Sequence, residues 1–287
     1  MIPEQRRIAL YGKGGIGKTS TASNLALLFA RAGHRTLLVG CDPKADSSHL
    51  LVRMGSIRPA LPEVMATAPG DVQKLRALVA QGRGGVDCIE AGGPEPGQGC
   101  AGTGISMTLK AFDYIPGFFA GYDTVLYDVL GDVVCGGFAV PLRAGRTRET
   151  YIVVSGDVAS IYAANNVARA VRNNRQSGAR LAGLIANRVP PESSISIGVV
   201  EAFARRIGTR LAGIIPADGA VMTAARHGTT VTEEFPDSPS ALALAALLQT
   251  VLATTDAQRV VPAPLENDDL FRFLADHGAY GPVEPRP

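Results

Sequence analysis

The sequence contains few cysteines, little net charge and no long apolar run, and each shortage excludes a class of protein. Four cysteines in 287 residues are too few for a disulfide scaffold. The formal net charge is only +2, which gives no indication of general nucleic-acid binding. No apolar run reaches the roughly 18 residues that a membrane-spanning helix needs, and the charged start at Glu4, Arg6 and Arg7 does not fit a signal peptide. We therefore expect a cytoplasmic protein with no nucleic-acid or membrane partner.

Short apolar runs alternate with amphipathic stretches along most of the chain. Runs that are nearly continuous in apolar residues are typical of strands buried on both faces. They lie at residues 7–11, 35–39, 86–91, 124–127, 151–155, 181–186 and 211–215. The helical patterns between them lie at 19–32, 105–115, 158–174, 197–207 and 240–254. This order predicts an α/β fold, in which helices cover both faces of a mostly parallel sheet, as a single domain over residues 1–287.

The tail, residues 256–287, departs from this alternation. Residues 260–264 are expected to be extended, because two prolines there prevent a helix. Asn267 is a suitable N-cap for a short amphipathic helix over 267–276. The apolar side of this helix would carry Leu270, Phe271 and Leu274. Such a helix packs either on its own domain or on a second subunit.

A glycine-rich segment between the first strand and the first helix, residues 12–19, has the pattern G-x-x-x-x-G-K-T. Its glycines let backbone N–H groups turn inward around phosphate oxygens, and the N-terminus of the following helix adds positive potential. Lys18 is placed to contact the β- and γ-phosphates, and the hydroxyl of Thr19 to bind Mg²⁺. The predicted nucleotide-binding residues here are Gly12, Gly14, Gly15, Ile16, Gly17, Lys18, Thr19 and Ser20. The segment predicts a P-loop NTPase fold.

Lys13 adds a second lysine to this phosphate loop. In this respect the segment resembles the deviant phosphate-loop ATPases, in which the extra lysine reaches across a dimer to the nucleotide of the partner chain. The resemblance implies a face-to-face dimer with ATP at its interface and a catalytic role for Lys13. The alternative is that Lys13 only adds charge to its own site.

Two acidic segments follow predicted strands beside the phosphate loop. Carboxylates at the carboxyl ends of such strands are placed to hold Mg²⁺ or its waters, and Asp42 is our candidate for this role. Lys44 and Asp46 lie where a loop could sense the γ-phosphate, although turn chemistry explains both residues equally well. Asp128 is the natural Walker B acid, and Asp132 is a candidate for orienting the attacking water.

Cys100 and Cys135 each lie in a glycine-rich loop after a predicted strand. Close backbone N–H groups, which glycines allow, hydrogen-bond to thiolates that hold an inorganic cluster. A [4Fe–4S] cluster takes four ligands, so these two cysteines would have to meet their copies in a second chain on a two-fold axis. Asp132 precedes Cys135 by three residues, so a shift that depends on the γ-phosphate would pull on a cluster ligand. The alternative for both, and our expectation for Cys41 and Cys88, is a buried structural thiol.

Together these motifs resemble the nitrogenase iron protein and its relatives, which include the ATP-dependent reductase subunits for protochlorophyllide, chlorophyllide, a nickel tetrapyrrole precursor and methylthio-alkanes. The segments that carry the resemblance are 11–19, 40–47, 90–104, 127–141, 162–167 and 264–278. The resemblance implies a homodimer with one bridging [4Fe–4S] cluster and MgATP in each subunit. It also implies a larger catalytic metallocluster component as electron acceptor and a ferredoxin- or flavodoxin-type donor. It further points to Asn187 as an adenine contact and Asp218 as another nucleotide contact.

One position departs from the nitrogenase branch of this family. Nitrogenase iron proteins carry an arginine three residues after the first cluster cysteine, whereas this chain has Thr103. The change removes a charge-assisted contact at the docking face. Residues 90–102 nevertheless resemble the nitrogenase branch more than the chlorophyll branches. Methylthio-alkane reduction is therefore our leading hypothesis, with nitrogenase and tetrapyrrole reduction as alternatives.

Two hypotheses from other classes share part of these motifs. A non-redox ATPase of the DNA-partitioning or membrane-positioning type would have the same phosphate loop with Lys13, but would leave the cysteine loops unexplained. A terminal helix that binds anionic lipid would need basic residues, whereas the tail here carries the acidic residues Asp268, Asp269 and Asp276. An iron–sulfur carrier commonly uses a C-x-x-C pair, and no two cysteines of this chain are that close.

Overall fold

The computed structural model describes residues 5–53, 55–68, 71–95, 99–131, 137–143, 145–190 and 194–278. The strands are β1 (Arg6–Tyr11), β2 (Thr36–Cys41), β3 (Ala80–Gln81), β4 (Asp87–Glu90), β5 (Thr124–Val129), β6 (Glu149–Val154), β7 (Leu181–Val189) and β8 (Leu211–Pro216). The helices are α1 (Lys18–Arg31), α2 (Ala60–Ala66), α3 (Val72–Arg76), α4 (Ala101–Asp113), α5 (Val158–Asn173), α6 (Ser194–Arg206), α7 (Gly219–Arg226), α8 (Val231–Glu234), α9 (Pro239–Leu252) and α10 (Asn267–Asp276). Two predicted site residues, Asp132 and Cys135, lie outside the described residues.

The strands form one sheet in the order β3-β4-β2-β5-β1-β6-β7-β8. Every neighbouring pair is parallel except β3 with β4. The central strand β1 places Leu10 opposite Asp128 of β5 on one side and Tyr151 of β6 on the other. The prediction of a mostly parallel α/β sheet is confirmed. Because parallel strands end at the same edge, the segments that follow β1, β2, β5 and β7 meet there.

Helices cover both faces of this sheet. Successive strand residues point to opposite faces, so the apolar side chains on each face are buried by a separate set of helices. In β1, Ala9 and Tyr11 join a core cluster with side chains of α4, α5, α6 and α10. Ile8 and Leu10 join a second cluster with side chains of α1 and α9. These four side chains of β1 are at most 1% exposed. Burial on both faces explains the continuous apolar runs of the sequence.

The tail contacts the core of its own chain at two places. Val260 forms an antiparallel bridge with Leu181 of β7. The backbone nitrogen of Leu265 donates to Asn165 Oδ1 at 2.9 Å, and Asn165 Nδ2 donates to the carbonyl oxygen of Leu265 at 2.8 Å. This reciprocal pair satisfies a buried amide and fixes the start of α10 beside α5.

Two details predicted for the tail helix are wrong. Phe271 is 44% exposed, and the buried face of α10 consists instead of Leu270, Phe273 and Leu274. Residues i, i+3 and i+4 share a face of a helix, so position 273 replaces position 271 on the buried side. Asn267 is the first helical residue and Glu266 is the N-cap, so Asn267 does not have the capping role.

The sequence patterns missed the short elements α2, α3, α7, α8 and β3, which span too few residues for a periodicity to develop. They also placed the start of α4 too late. The helix begins at Ala101, and Gly102 and Gly104 in its first turn are poor helix formers that conceal this start. Among the described residues, no helix is both long enough and apolar enough to cross a bilayer.

Candidate functional site

The phosphate loop joins β1 to α1 and forms an open cradle of backbone. Gly17 caps α1 with φ 92° and ψ 16°, and among the described residues no side chain caps this helix. A Cβ added to Gly14 or Gly15 would meet no described atom within 4 Å. The first N–H groups of a helix are unsatisfied donors in a region of positive potential. The cradle therefore fits a phosphate group.

Lys18, Thr19 and Asp128 converge at this loop. Lys18 Nζ forms an ion pair with Asp128, and both side chains are buried. Thr19 Oγ1 donates to Asp128 Oδ2 at 2.7 Å, and Ser47 Oγ donates to the same oxygen at 2.8 Å. The structure thus brings together the lysine, the hydroxyl and the carboxylate that a magnesium–nucleotide site requires.

The segment after β2 lies alongside this group, since Gly40 is opposite Asp128 in the sheet. Asp42 is 5% exposed, and its Oδ1 accepts a hydrogen bond from the backbone nitrogen of Lys44 at 2.9 Å. The side chains of Lys44 and Asp46 are exposed. The Asp42 carboxylate is therefore fixed at the sheet edge, whereas the Lys44 side chain is exposed.

Lys13 forms a long, partly exposed ion pair within its own chain. Its Nζ is 3.9 Å from Asp157 Oδ1, and the two side chains are 42% and 53% exposed. Burial raises the pKa of Asp157, but hydrogen bonds from Ser155 and Ser160 outweigh it and hold that pKa below its usual value. An exposed ion pair of this length contributes little stability. Lys13 is therefore only weakly held by its own chain.

A pocket of about 370 Å³ lies beside the phosphate loop. Asn187 Nδ2 donates to the carbonyl oxygen of Ile16 at 2.8 Å, and Arg188 Nη1 donates to that of Gly15 at 2.8 Å. The apolar lining is formed by Leu50, Ile215, Pro216, Val221, Met222 and Leu244. An apolar pocket with a few polar groups at its mouth fits the planar base of a nucleotide.

The predicted contacts Asn187 and Asp218 both line this pocket. Asp218 caps α7 by accepting from the backbone nitrogen of Ala220 at 2.9 Å, and it also accepts from Ser240 Oγ at 2.7 Å. Its carboxylate therefore holds the wall of the pocket in place. Sequence reasoning missed Arg188, because nothing in its sequence context indicates the left-handed backbone that turns it toward the loop.

Gly131, directly after β5 and its flanking Leu130, packs against the phosphate loop. A Cβ on Gly131 would lie 1.5 Å from the carbonyl oxygen of Gly12 and 2.6 Å from the backbone nitrogen of Lys13. Only glycine allows this approach. The next residues of the chain are 132–136, which lie outside the described part and carry the predicted Asp132 and Cys135.

Gly137, which follows the segment of the predicted Cys135, lies against the helix that begins after Cys100. Cys100 is the N-cap of α4 and is exposed, whereas Cys41 and Cys88 are buried and burial raises the pKa of both thiols. A Cβ on Gly137 would lie 2.1 Å from Gly102 Cα, so the end of the second loop touches the first turn of α4. A thiolate at a helix N-terminus is stabilised by the helix dipole. Within the described residues of one chain, no three Cys, His, Asp or Glu side chains converge on a metal site.

Glu90, at the end of β4, is a buried carboxyl that sequence reasoning missed as a functional group. It is 1% exposed, and its Oε1 accepts hydrogen bonds from the backbone nitrogen and Oγ of Ser48, both at 2.6 Å. Its Oε2 has no hydrogen-bond partner among the described residues and lies 1.9 Å from where a Cβ on Gly40 would be. Burial raises the pKa of Glu90 to about 7. The residue joins the start of the Cys100 loop to the segment that ends at Ser48.

Glu90→Gln should remove a pH dependence of stability. The raised pKa means that the folded protein keeps a proton that the unfolded chain loses. The stability that this proton contributes is fully present below about pH 4.5 and is lost as the pH rises through about 7. The difference in the free energy of unfolding, variant minus wild type, should therefore increase by roughly 2 to 3 kcal/mol when the pH is raised from 5 to 8. Urea denaturation at both pH values measures this difference. The exposed Glu63→Gln should leave the profile unchanged, and parallel profiles for Glu90→Gln and wild type would refute the assignment.

Comparison with known families gives a match over nearly the whole chain. The model of a family described as 4Fe-4S iron sulfur cluster binding proteins, NifH/frxC family, matches residues 6–280. This range includes the phosphate loop, both cysteine loops and the tail helix.

Solved structures of ATPases have the same fold. The septum site-determining protein MinD with Mg-ADP from Pyrococcus horikoshii OT3 is 20% identical with a TM-score of 0.66, over 86% of this chain and 96% of that one. A chain of the MinC:MinD cell division protein complex of Aquifex aeolicus is 19% identical with a TM-score of 0.68, over 91% of this chain and 98% of that one. A ParA family ATPase from Chlorobium tepidum TLS is 19% identical with a TM-score of 0.67, over 85% of this chain and 98% of that one. At these identities the likeness establishes the P-loop NTPase fold alone.

Proposed function

The chain belongs to the NifH/frxC family of 4Fe–4S iron–sulfur cluster binding proteins, and from this premise we propose that it is the ATP-hydrolysing electron donor of a two-component reductase. In this proposal two copies of the chain form a homodimer that holds one bridging [4Fe–4S] cluster, and each copy binds MgATP. The dimer passes single electrons to a larger catalytic metallocluster component. A ferredoxin- or flavodoxin-type protein supplies them.

The nucleotide half of the proposal is supported by the cradle and the group around Asp128. Lys18 would leave this carboxylate and bind the β- and γ-phosphates. Thr19 and Ser20, at the start of α1, would also contact the nucleotide. Thr19 and Asp128 would hold Mg²⁺ and its waters, with Asp42 beside them. Lys13, weakly held on its own chain, would reach the nucleotide of the partner chain.

The cluster half is supported by the chemistry and position of Cys100. Its thiol is exposed at a helix N-terminus, which favours the thiolate that an iron ligand must be. Gly137, two residues after Cys135 in the chain, contacts Gly102 in the first turn of the same helix. Cys100 and Cys135 of both chains would supply four ligands. When bound, the cluster supplies one-electron chemistry.

One observation carries the coupling of ATP to electron transfer. The segment 132–136 is bounded by two close backbone contacts, Gly131 on Gly12 of the phosphate loop and Gly137 on Gly102 of the cysteine loop. Asp132 and Cys135 belong to this segment. A change at the γ-phosphate would therefore move a cluster ligand through a chain of only a few residues, with Asp132 orienting the attacking water.

The acceptor proposed is the catalytic component of a methylthio-alkane reductase. Thr103 is exposed on the first turn of α4 beside Cys100, on the surface that an acceptor must approach. A hydroxyl there offers a neutral contact where the nitrogenase branch has a guanidinium. Nitrogenase and tetrapyrrole reduction are the alternatives for the acceptor.

A second candidate is a non-redox ATPase, which the fold shared with MinD and ParA ATPases favours. It would bind and hydrolyse ATP with the same loop and would need no iron. A third candidate is an iron–sulfur carrier, which would bind a cluster and transfer it to an acceptor protein that lacks one.

The deciding experiment begins with anaerobic purification and an iron assay. We expect a brown dimer with about four iron atoms. Mixed with MgATP, dithionite and one candidate catalytic component at a time, it should give thiol and hydrocarbon from methylthio-alkanes. Ammonia from N₂ or a reduced tetrapyrrole would assign a different acceptor. A colourless dimer that hydrolyses ATP would refute electron transfer and favour the non-redox ATPase, and slow turnover with loss of iron to an apo-acceptor would favour the carrier.

A further inference from the structure

Arg188 has a backbone conformation that a residue with a side chain rarely adopts. Its φ is 57°, and among the described residues the only other non-glycine residue with positive φ is Ala45. The left-handed region brings Cβ close to the following carbonyl oxygen, so this conformation is unfavourable unless surrounding contacts hold it. The pairing of β7 with β8 is also irregular between Ala186 and Val189. The end of β7 therefore leaves regular strand geometry at Arg188.

This irregular backbone directs two consecutive side chains to two consecutive carbonyl groups. Asn187 Nδ2 donates to Ile16, and Arg188 Nη1 donates to Gly15, each at 2.8 Å. In the phosphate loop, carbonyl groups held outward leave the neighbouring N–H groups directed inward. Gly15 faces open space on its other side, so the Arg188 contact is positioned to set its orientation.

The same side chain borders the pocket that fits the base. Arg188 lines this pocket with Asn187, and its Cδ lies 3.9 Å from where a Cβ on Gly17 would be. The methylene stem therefore lies between the phosphate loop and the pocket, and the guanidinium reaches the loop carbonyl. A nucleotide with its phosphates in the loop and its base in the pocket would pass along this stem.

We propose that Arg188 is a positioning residue that links the base pocket to the phosphate loop, with its stem packed against the nucleoside and its guanidinium fixing the Gly15 carbonyl. The inference rests on the proposed binding of ATP, and it assigns to this residue the orientation of the loop toward the phosphates. A regular strand would direct this side chain away from the phosphate loop, and the strained backbone is the energetic cost of directing it toward the loop.

The test uses the full-length protein purified anaerobically, with MgADP and MgATP as probes in calorimetric titrations. Arg188→Asn removes the guanidinium and the stem but keeps a residue type that tolerates the left-handed region. We expect its affinity for both nucleotides to fall about tenfold, because a hydrogen bond from a charged donor is lost. The thermal midpoint of the nucleotide-free variant should stay at or above that of the wild type, since no strained arginine remains.

Two further variants separate this role from simpler ones. Arg188→Lys keeps a cation and a methylene stem, and it should recover part of the lost affinity. Arg226→Ala removes an exposed charge from α7, outside the pocket lining, and should bind nucleotide like the wild type. Equal affinity of Arg188→Asn and wild type, or an equal loss in Arg226→Ala, would overturn the proposal while leaving ATP binding intact. Absence of nucleotide binding by the wild type would overturn both.

Discussion

Gly131→Ala should weaken nucleotide binding strongly and destabilise the fold. The added Cβ would lie 1.5 Å from the carbonyl oxygen of Gly12 and 2.0 Å from its carbonyl carbon. Both atoms belong to the backbone, so no change of rotamer relieves the overlap, and either the phosphate loop or the end of β5 must shift. Overpacking costs about 1–3 kcal/mol, and the upper end of this range, if it falls on the nucleotide-bound state, corresponds to a loss of affinity of about 100-fold. We therefore expect MgADP affinity to fall by about 100-fold in calorimetry.

Gly121→Ala is the matched control for this prediction. Gly121 precedes β5, and a Cβ there would meet no described atom within 4 Å. Its affinity for MgADP should equal that of the wild type, and its stability should change by less than about 0.5 kcal/mol. If Gly131→Ala binds MgADP as well as Gly121→Ala does, the contact between the end of β5 and the phosphate loop has no role in the nucleotide site, and the coupling proposed for segment 132–136 loses its support.

Cys100→Ala should remove most of the iron and leave nucleotide binding intact. Each dimer would lose two of its four proposed ligands, and a cluster of this type requires all four to be retained stably. Iron should fall from about four atoms per dimer to less than about one. The side chain is exposed, so its truncation opens no cavity in the core and should leave the thermal midpoint of the apo protein unchanged.

Cys88→Ala is the control that separates a ligand from a thiol in general. Cys88 is 0% exposed in the core, so this variant should lose some stability and keep its iron. The iron assay and MgADP titration of both variants, purified anaerobically in parallel, give the comparison. Full iron in Cys100→Ala would exclude this residue as a ligand. Loss of iron in both variants would show that iron retention depends on general stability instead.

Parts of the site close in sequence were predictable because their chemistry is local. The loop 12–19 lies between a strand and a helix, so its pattern fixes both the backbone and the positions of Lys18 and Thr19. Asp128 could also be predicted, since an acid at the end of an apolar strand beside such a loop has few other roles. Asn187 and Asp218 were found by resemblance, and the structure places both at the pocket.

Glu90 and Arg188 could not be predicted as site residues from the same patterns. Glu90 is one acid at the end of a short strand, and it is buried because Gly40 of β2 and Ser48 of the segment after β2 pack against its carboxyl group. Arg188 is one of many arginines, and its contact with the phosphate loop follows from a left-handed backbone that no local sequence feature requires. Phe271 was placed wrongly for a related reason, since the face of α10 that is buried depends on how the helix packs on the core.

The sequence by itself determined the α/β alternation, the phosphate loop and its cation and hydroxyl, and the presence of two glycine-rich cysteine loops, because each is set by residues within a few positions of one another. The tertiary structure alone decided which of these segments touch. Sheet order brings β5 beside β1, and only then does Gly131 meet Gly12, Asn187 and Arg188 meet the loop carbonyls, and Gly137 meet Gly102. Contacts between residues distant in sequence depend on the packing of the whole sheet, and a local pattern does not specify it.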